Sequence, residues 1–330
     1  MLGYRFASWL LRTLPAGPTG AVLGLGAQAS YLLWPTKRAW SNQNFGHVLG
    51  LPPDDRRVRR VALRAYRRYG TYLVELMRVP YMPQDEVIAL VEPLDRAEIQ
   101  RLRDASPVGG LIVTTGHVGN NDVIGAAIAH LGLPLNVVAD DSSFPELFDY
   151  LRSQREQWSA TLIPWRNLRA IFGVLRRREV LGLLVDWGYR SDGIPVRLFD
   201  AWTALPAGPA TLAAKTRSRI LPVINTRQPD GRMRVLFSEP ITVASSDPAE
   251  LQRATQRIAD ALAEMIRPDP ADWYSFKPIW PPTDAECADL ERRGHEMMAG
   301  RPDPGPGPGF GGSEDGGAHE ARSAPLAADG

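Results

Sequence analysis

The chain has 330 residues, 44% of them hydrophobic, so it can bury a substantial core and leave room for appendages. A formal net charge of +1 gives no global signal for a polyanionic partner. The single cysteine, Cys287, excludes an internal disulfide and suits a reducing compartment; it lies in a charged stretch and is not read as a nucleophile.

The charge is uneven. Residues 1 to 80 carry twelve Lys/Arg against three acidic residues, net +9, which leaves −8 for the remainder. A basic amino-terminal region bearing Trp and Tyr suits an anionic membrane surface; the alternative is a solvated basic helix face. Residues 2 to 14 place Leu2, Phe6, Trp9, Leu10 and Leu14 at helical spacing, and Pro15 and Pro18 are expected to end that helix. Residues 21 to 34 form a second apolar run of 14 residues. A membrane-spanning helix needs about 20, so both pieces are read as amphipathic segments lying on a membrane rather than crossing it. A G-x-G-x-x-A run at Gly24 to Ala29 lacks the strand and acidic partner of a dinucleotide site. The A-x-A at Ala27 lacks the apolar stretch of a signal peptide.

Residues 54 to 79 predict a long helix with Val58, Val61, Ala65, Tyr69, Leu73, Leu76 and Met77 on one side and arginines on the other. Strand-like runs follow at 111 to 115, 134 to 140, 161 to 164, 180 to 186, 194 to 199, 220 to 226 and 233 to 240. Helical patterns occupy roughly 122 to 132, 145 to 159, 167 to 178 and 207 to 217. This alternation predicts an α/β fold: a mostly parallel, about seven-stranded central sheet flanked by helices, with an N-terminal amphipathic membrane-associating segment. Asp247 and Glu250 bracket Pro248 as a capping box for a last helix through Leu262. The expected organisation is a membrane-associating helical region over 1–80, an α/β core over 81–300, and a disordered Pro/Gly-rich tail over 301–330.

Chemistry concentrates in LIVTTGHVGNND, residues 111 to 122. A buried strand runs into Gly116, then His117, then the helix-capping residues Asn120, Asn121 and Asp122. That puts His117 at the carboxyl edge of a strand, where open α/β sheets hold their sites. An imidazole takes a proton from a hydroxyl near neutral pH, and does so best when a carboxylate holds its other nitrogen. Asp122 is the expected orienting group, because a turn followed by a first helical turn can bring the two together. The bland reading is a helix cap beside a loop histidine; H-x-x-x-x-D alone is a weak signal.

The ordered set TTGHVGNND, LIPWRN, LLVDWGYRSDGIPVRLF, LPAGPATLA and ILPV resembles the bacterial lysophospholipid acyltransferase superfamily. It is most similar to the lipid A lauroyl/myristoyl and phosphatidylinositol mannoside acyltransferases, over about residues 5 to 280. The resemblance implies transfer of a fatty acyl group from an acyl thioester to a hydroxyl of a glycolipid or lysolipid, with His117 and Asp122 as catalytic pair. It implies substrate-binding roles for Asp140, Arg155, Arg166 and Asp186. Arginines suit phosphate through their planar fork, and a carboxylate closing the apolar run 180 to 185 is hard to explain as packing. No metal or resident cofactor is expected; the co-substrate is acyl-CoA or acyl carrier protein. The implied location is the cytoplasmic face of the plasma (inner) membrane, peripheral or monotopic, and no nucleic-acid module is recognisable. Two departures stand out: Asn121 where the mannoside branch tends to have Trp, and Lys277-Pro278-Ile279 where a basic or His residue often precedes the last aromatic. The competing readings are a thioesterase or lipid hydrolase using the same pair, and a non-enzymatic peripheral membrane protein.

Overall fold

The computed structural model describes residues 9–93, 97, 100, 101, 104–106, 108–133, 135–141, 145–158, 160–308 and 310. A helical stretch over residues 9–13 is followed by α1 (Ala16–Leu33), α2 (Pro35–Leu49) and α3 (Arg56–Arg78), then a short α4 (Gln84–Ala89). The α/β core follows as β1 (Leu111–Thr115), α5 (Asn121–His130), β2 (Leu135–Ala139), α6 (Pro145–Arg155), β3 (Ala160–Pro164), α7 (Leu168–Arg176) and β4 (Val180–Leu184). A hairpin of β5 (Ile194–Leu198) and β6 (Ala201–Leu205) precedes α8 (Gly208–Thr216), β7 (Arg219–Arg227), β8 (Met233–Phe237), α9 (Pro248–Ile266) and α10 (Asp284–Met298).

The central sheet has six strands in the order β3-β2-β4-β1-β7-β8, all parallel except β8, which runs antiparallel to β7. Six of the seven expected runs are in it. The seventh, 194 to 199, pairs instead with β6 in a separate two-stranded sheet. The partner strand escaped the sequence reading because AWTAL shows no clear alternation. Phe199 and Asp200, both at positive φ, make the two-residue turn that twists the hairpin closed. Apolar side chains pack on both faces of the central sheet: Ile112 lies in the main core, Leu111 in a second cluster with Val180 and Leu221.

The amino-terminal helices share that main core. Tyr31, Phe45, Val58, Ala62 and Tyr66 are buried in one cluster with Ile112, Leu181 and Trp273. Among the described residues, 9–13 are helical and that helix stops before Pro15, as expected; Pro15 then caps α1 and Pro18 sits in its first turn, where an amide N–H has no helical partner to lose. The segment expected to be amphipathic carries no charged residue anywhere in α1. Its inner face is Gly20, Gly24 and Tyr31 against α3, and its outer face exposes Val22, Leu25, Leu32 and Leu33. Among the described residues no helix is long and apolar enough to cross a membrane.

Two further expectations change. The α9 capping box does not form: Glu250 accepts from the Ala244 amide, and Asp247 accepts from the Ser245 hydroxyl. The carboxyl-terminal segment packs at its start, because Asp303 pairs with Arg293, a guanidinium buried in α10 that needs a counter-charge. Residues 311–330 lie outside the described residues.

The helix crossing is the tightest contact among these elements. A Cβ on Gly70 would lie 2.2 Å from the Gly24 nitrogen, whereas one on Gly26 would meet nothing within 4 Å. Gly70→Ala should therefore lower the melting temperature, at a cost of about 1–3 kcal/mol from overpacking. Gly26→Ala should be neutral or slightly stabilising, by up to about 1 kcal/mol. Equal melting temperatures for the two variants would refute this account of the crossing.

Candidate active site

The sheet brings the chemistry to its carboxyl edge through register alone. β1 and β4 are parallel, Thr115 lies opposite Leu184, and the Val185 amide donates to the Thr115 carbonyl. The next residues on each strand, Gly116-His117 and Asp186, therefore emerge side by side. His117 Nδ1 lies 2.6 Å from Asp186 Oδ1, and the His117 amide donates to Asp186 Oδ2 at 2.8 Å. Trp273 Nε1 donates to the same Oδ2 at 2.7 Å. Gly116 is required for this approach, since a Cβ there would sit 2.6 Å from Asp186 Oδ2.

The expected partner of His117 was Asp122, and here the structure differs. Asp122 accepts from Arg155 Nε at 2.7 Å, tying the first turn of α5 to the last residue of α6. Asp186, expected to meet substrate, is instead buried at 6% exposure and bonded to His117 and Trp273. Arg155, expected to hold a phosphate, is engaged by Asp122. Asp140 and Arg166 follow the carboxyl ends of β2 and β3 and are exposed; the Arg166 guanidinium stacks 4.9 Å from the Trp165 ring centroid. The structure thus joins His117 with Asp186 and Asp122 with Arg155, and places Asp140 and Arg166 after the carboxyl ends of β2 and β3.

The turn carrying His117 is held by groups that the sequence reading did not assign. Gly119 has φ +64, and a Cβ there would lie 2.2 Å from the Asn225 carbonyl oxygen. Asn225, at the carboxyl end of β7, accepts from the Asn120 amide at 2.6 Å and donates to the Val118 carbonyl and to Asn121 Oδ1. Asn121 in turn donates to the Gly116 carbonyl, which gives that departure from the family pattern a structural role. Glu75 of α3 accepts from Asn120 at 2.9 Å and from Arg227 at 2.6 Å. The segment after α9 closes the ring: the Tyr274 amide donates to the His117 carbonyl, and the Gly119 amide donates to the Asp272 carbonyl. An asparagine closing the apolar run ILPVIN was the one visible signal for Asn225.

Electrostatics favour a polarised pair. Burial pulls the His117 ring toward neutrality, but the Asp186 charge and hydrogen bond outweigh it and raise its pKa, with the Lys277 ammonium acting against them. Burial pushes the Asp186 carboxyl up, while the His117 charge and three hydrogen bonds hold it below the usual carboxylate range. An ionised carboxylate accepts only, so Nδ1 carries the proton and Nε2 is the nitrogen left to act as base. His117 is 27% exposed at its side chain, open to a substrate.

Exposed apolar groups ring the same edge: Trp165 and Leu168 beyond β3, Trp187 beyond β4. The α5 residues Val123, Ile124, Ala126 and Ala127 are buried in the core. A groove of about 1460 Å3 runs between the β5–β6 hairpin, α9 and α10, and includes none of the six residues.

Comparison with known proteins gives the family. The family model for bacterial lipid A biosynthesis acyltransferases matches residues 4–281. The chain is 29% identical over 287 residues to the phosphatidylinositol mannoside acyltransferase of Mycolicibacterium smegmatis, covering 84% of this chain and 90% of that one. It is 27% identical over 254 residues to the phosphatidylinositol mannoside acyltransferase of Mycobacterium tuberculosis, covering 72% and 75%. The chain belongs to the bacterial lipid A biosynthesis acyltransferase family and is an acyltransferase.

Proposed function

We propose that this enzyme moves a fatty acyl group from an acyl thioester, acyl-CoA or acyl carrier protein, to a sugar hydroxyl of a phosphatidylinositol mannoside-type glycolipid, with His117 as general base held by Asp186. The family supports an acyl donor and a lipid acceptor, and the relatives' names support the acceptor class. The observation that carries the mechanism is the 2.6 Å contact between His117 Nδ1 and Asp186.

The acceptor oxygen attacks the thioester carbonyl carbon as its proton passes to His117 Nε2. The Asp186 carboxylate stabilises the imidazolium that forms. Collapse of the tetrahedral intermediate breaks the C–S bond, and the imidazolium returns the proton to the thiolate. Ester and free thiol leave, and the neutral ring is restored. Asp122 acts through Arg155 to fix the helix that follows the turn.

The exposed face of α1, with Trp34 at its end and the basic surface of α2 and α3 beside it, supports contact with an anionic bilayer. The acceptor would then be met in the membrane plane.

His117→Ala should lower transfer about 100-fold or more. Measuring thiol release with and without acceptor separates transfer from hydrolysis, and release that ignores the acceptor would overturn the transferase reading.

Because Asp186 raises the His117 pKa, the neutral base is lost as pH falls through a value above the ordinary 6.5. Asp186→Asn removes that push and leaves burial and Lys277 pulling down. The acid limb of the kcat/KM profile should move to lower pH while the plateau falls. Asp122→Asn should leave the limb in place, and the opposite pattern would return the orienting role to Asp122.

Leu25→Asp with Leu33→Asp, both at exposed positions, should weaken binding to anionic vesicles at an unchanged melting temperature. Undiminished binding would rule out α1 as the membrane-facing surface.

A further inference from the structure

The Lys277 ammonium lies near His117, and the Lys37 ammonium lies near Lys277; neither carries the transferred proton. Lys277 Nζ lies 3.9 Å from the centroid of the Trp187 ring, and that ring lies 5.3 Å from the His117 ring. Lys37 Nζ lies 4.7 Å from the Trp40 ring centroid and 5.5 Å from that of Trp34. The two lysines come together through α2. Asn44 donates to the backbone carbonyls of Ser275 at 2.9 Å and Lys277 at 2.7 Å. Lys37, Trp40 and Asn44 sit three and four residues apart, so the helix face that anchors the 275–277 segment also carries Lys37. The Tyr189 amide donates to the Pro278 carbonyl at 2.7 Å and fixes the Trp187 turn against the same segment.

Both lysines are half-buried, and among the described residues neither ammonium is bonded to a carboxylate. Asp140 acts on Lys277 only as a nearby charge. Burial and the repulsion of Lys37 hold the Lys277 ammonium below the ordinary lysine range. Two like charges on segments joined by the Asn44 side-chain hydrogen bonds, each against an indole face, are arranged for an anion that would relieve their repulsion. Compact ammonium groups suit phosphate as point charges.

We propose that Lys37 and Lys277, backed by Trp40 and Trp187, form a phosphate-binding subsite at the mouth of the His117 site that seats a phosphate ester of one substrate. The proposal rests on the acyl-transfer reading. The thioester donor carries phosphates on its carrier and a phosphoinositol acceptor carries a phosphodiester, so both substrates offer the same chemistry. A seated phosphate fixes one end of that substrate relative to Nε2, which is a positioning role.

The test uses the full chain as wild type, Lys37→Met, Lys277→Met, the double variant and Lys277→Arg, with thermal melts as the check on folding. Binding is measured by tryptophan fluorescence with two soluble probes, coenzyme A and glycerophosphoinositol, which need neither turnover nor membrane. Kinetics use palmitoyl-CoA and phosphatidylinositol mannoside. Each Lys→Met should weaken one probe about tenfold, the size of a lost charged hydrogen bond, and Lys277→Arg should bind nearly as wild type. The KM of the matching substrate should rise in step, with kcat falling less. Loss toward coenzyme A assigns the donor's phosphate, and loss toward glycerophosphoinositol assigns the acceptor's. Lys37 lies on a helix surface, so its variant keeps the question open to refutation if Lys277→Met loses its fold. Wild-type failure to bind either probe, or wild-type affinity for both in the double variant, overturns the subsite while leaving acyl transfer standing. Lysine-dependent probe binding without any acyl transfer overturns the enzymatic reading and leaves the subsite.

Discussion

A buried carboxylate that must be satisfied on both oxygens organises this molecule. Asp186 sits where β4 leaves the sheet, and an unpaired charge there would cost several kcal/mol, on the order of its desolvation. The His117 ring, the His117 amide and the Trp273 indole supply the three donors. Each donor comes from a different constraint: the parallel register of β1 with β4, the glycine that lets the chain pass beside a carboxylate, and the return of the chain after α9. A group so enclosed cannot serve a substrate directly. Its contact is with the ring, which keeps one nitrogen toward the carboxylate and leaves the other free of it.

The turn bearing that ring is fixed from below by a second polar set. Asn225 clamps three backbone or side-chain groups of residues 118 to 121, and Glu75 joins Asn120 to Arg227. These bonds reach from β7 and from α3, so the amino-terminal helices are part of the site's framework. Asn44 extends the same logic to α2, whose amide holds the segment that carries Lys277.

Local pattern revealed a good deal. The unbroken apolar run before Gly116, the capping residues after His117 and the strand-helix alternation placed the ring at a sheet edge. The same alternation placed Asp140, Arg166 and Asp186 at the ends of neighbouring strands. What it lacked was partner choice. H-x-x-x-x-D joins residues close in the chain, and proximity favoured Asp122; strand register joins residues 69 apart, and no local spacing carries that information. The hairpin strand β6 and the packed start of the carboxyl-terminal segment were missed for the same reason, since each is stabilised by a distant partner, β5 in one case and Arg293 in the other.

The sequence by itself determined the fold class, the family and the position of the histidine, because periodicity, turn chemistry and ordered motifs are properties of neighbouring residues. Only the tertiary structure decided that Asp186 holds the ring, that Asp122 is committed to Arg155, and that Asn44 of α2 anchors the segment of Lys277. Those pairings depend on how parallel strands and crossing helices align remote residues, and alignment is set by burial across the whole core.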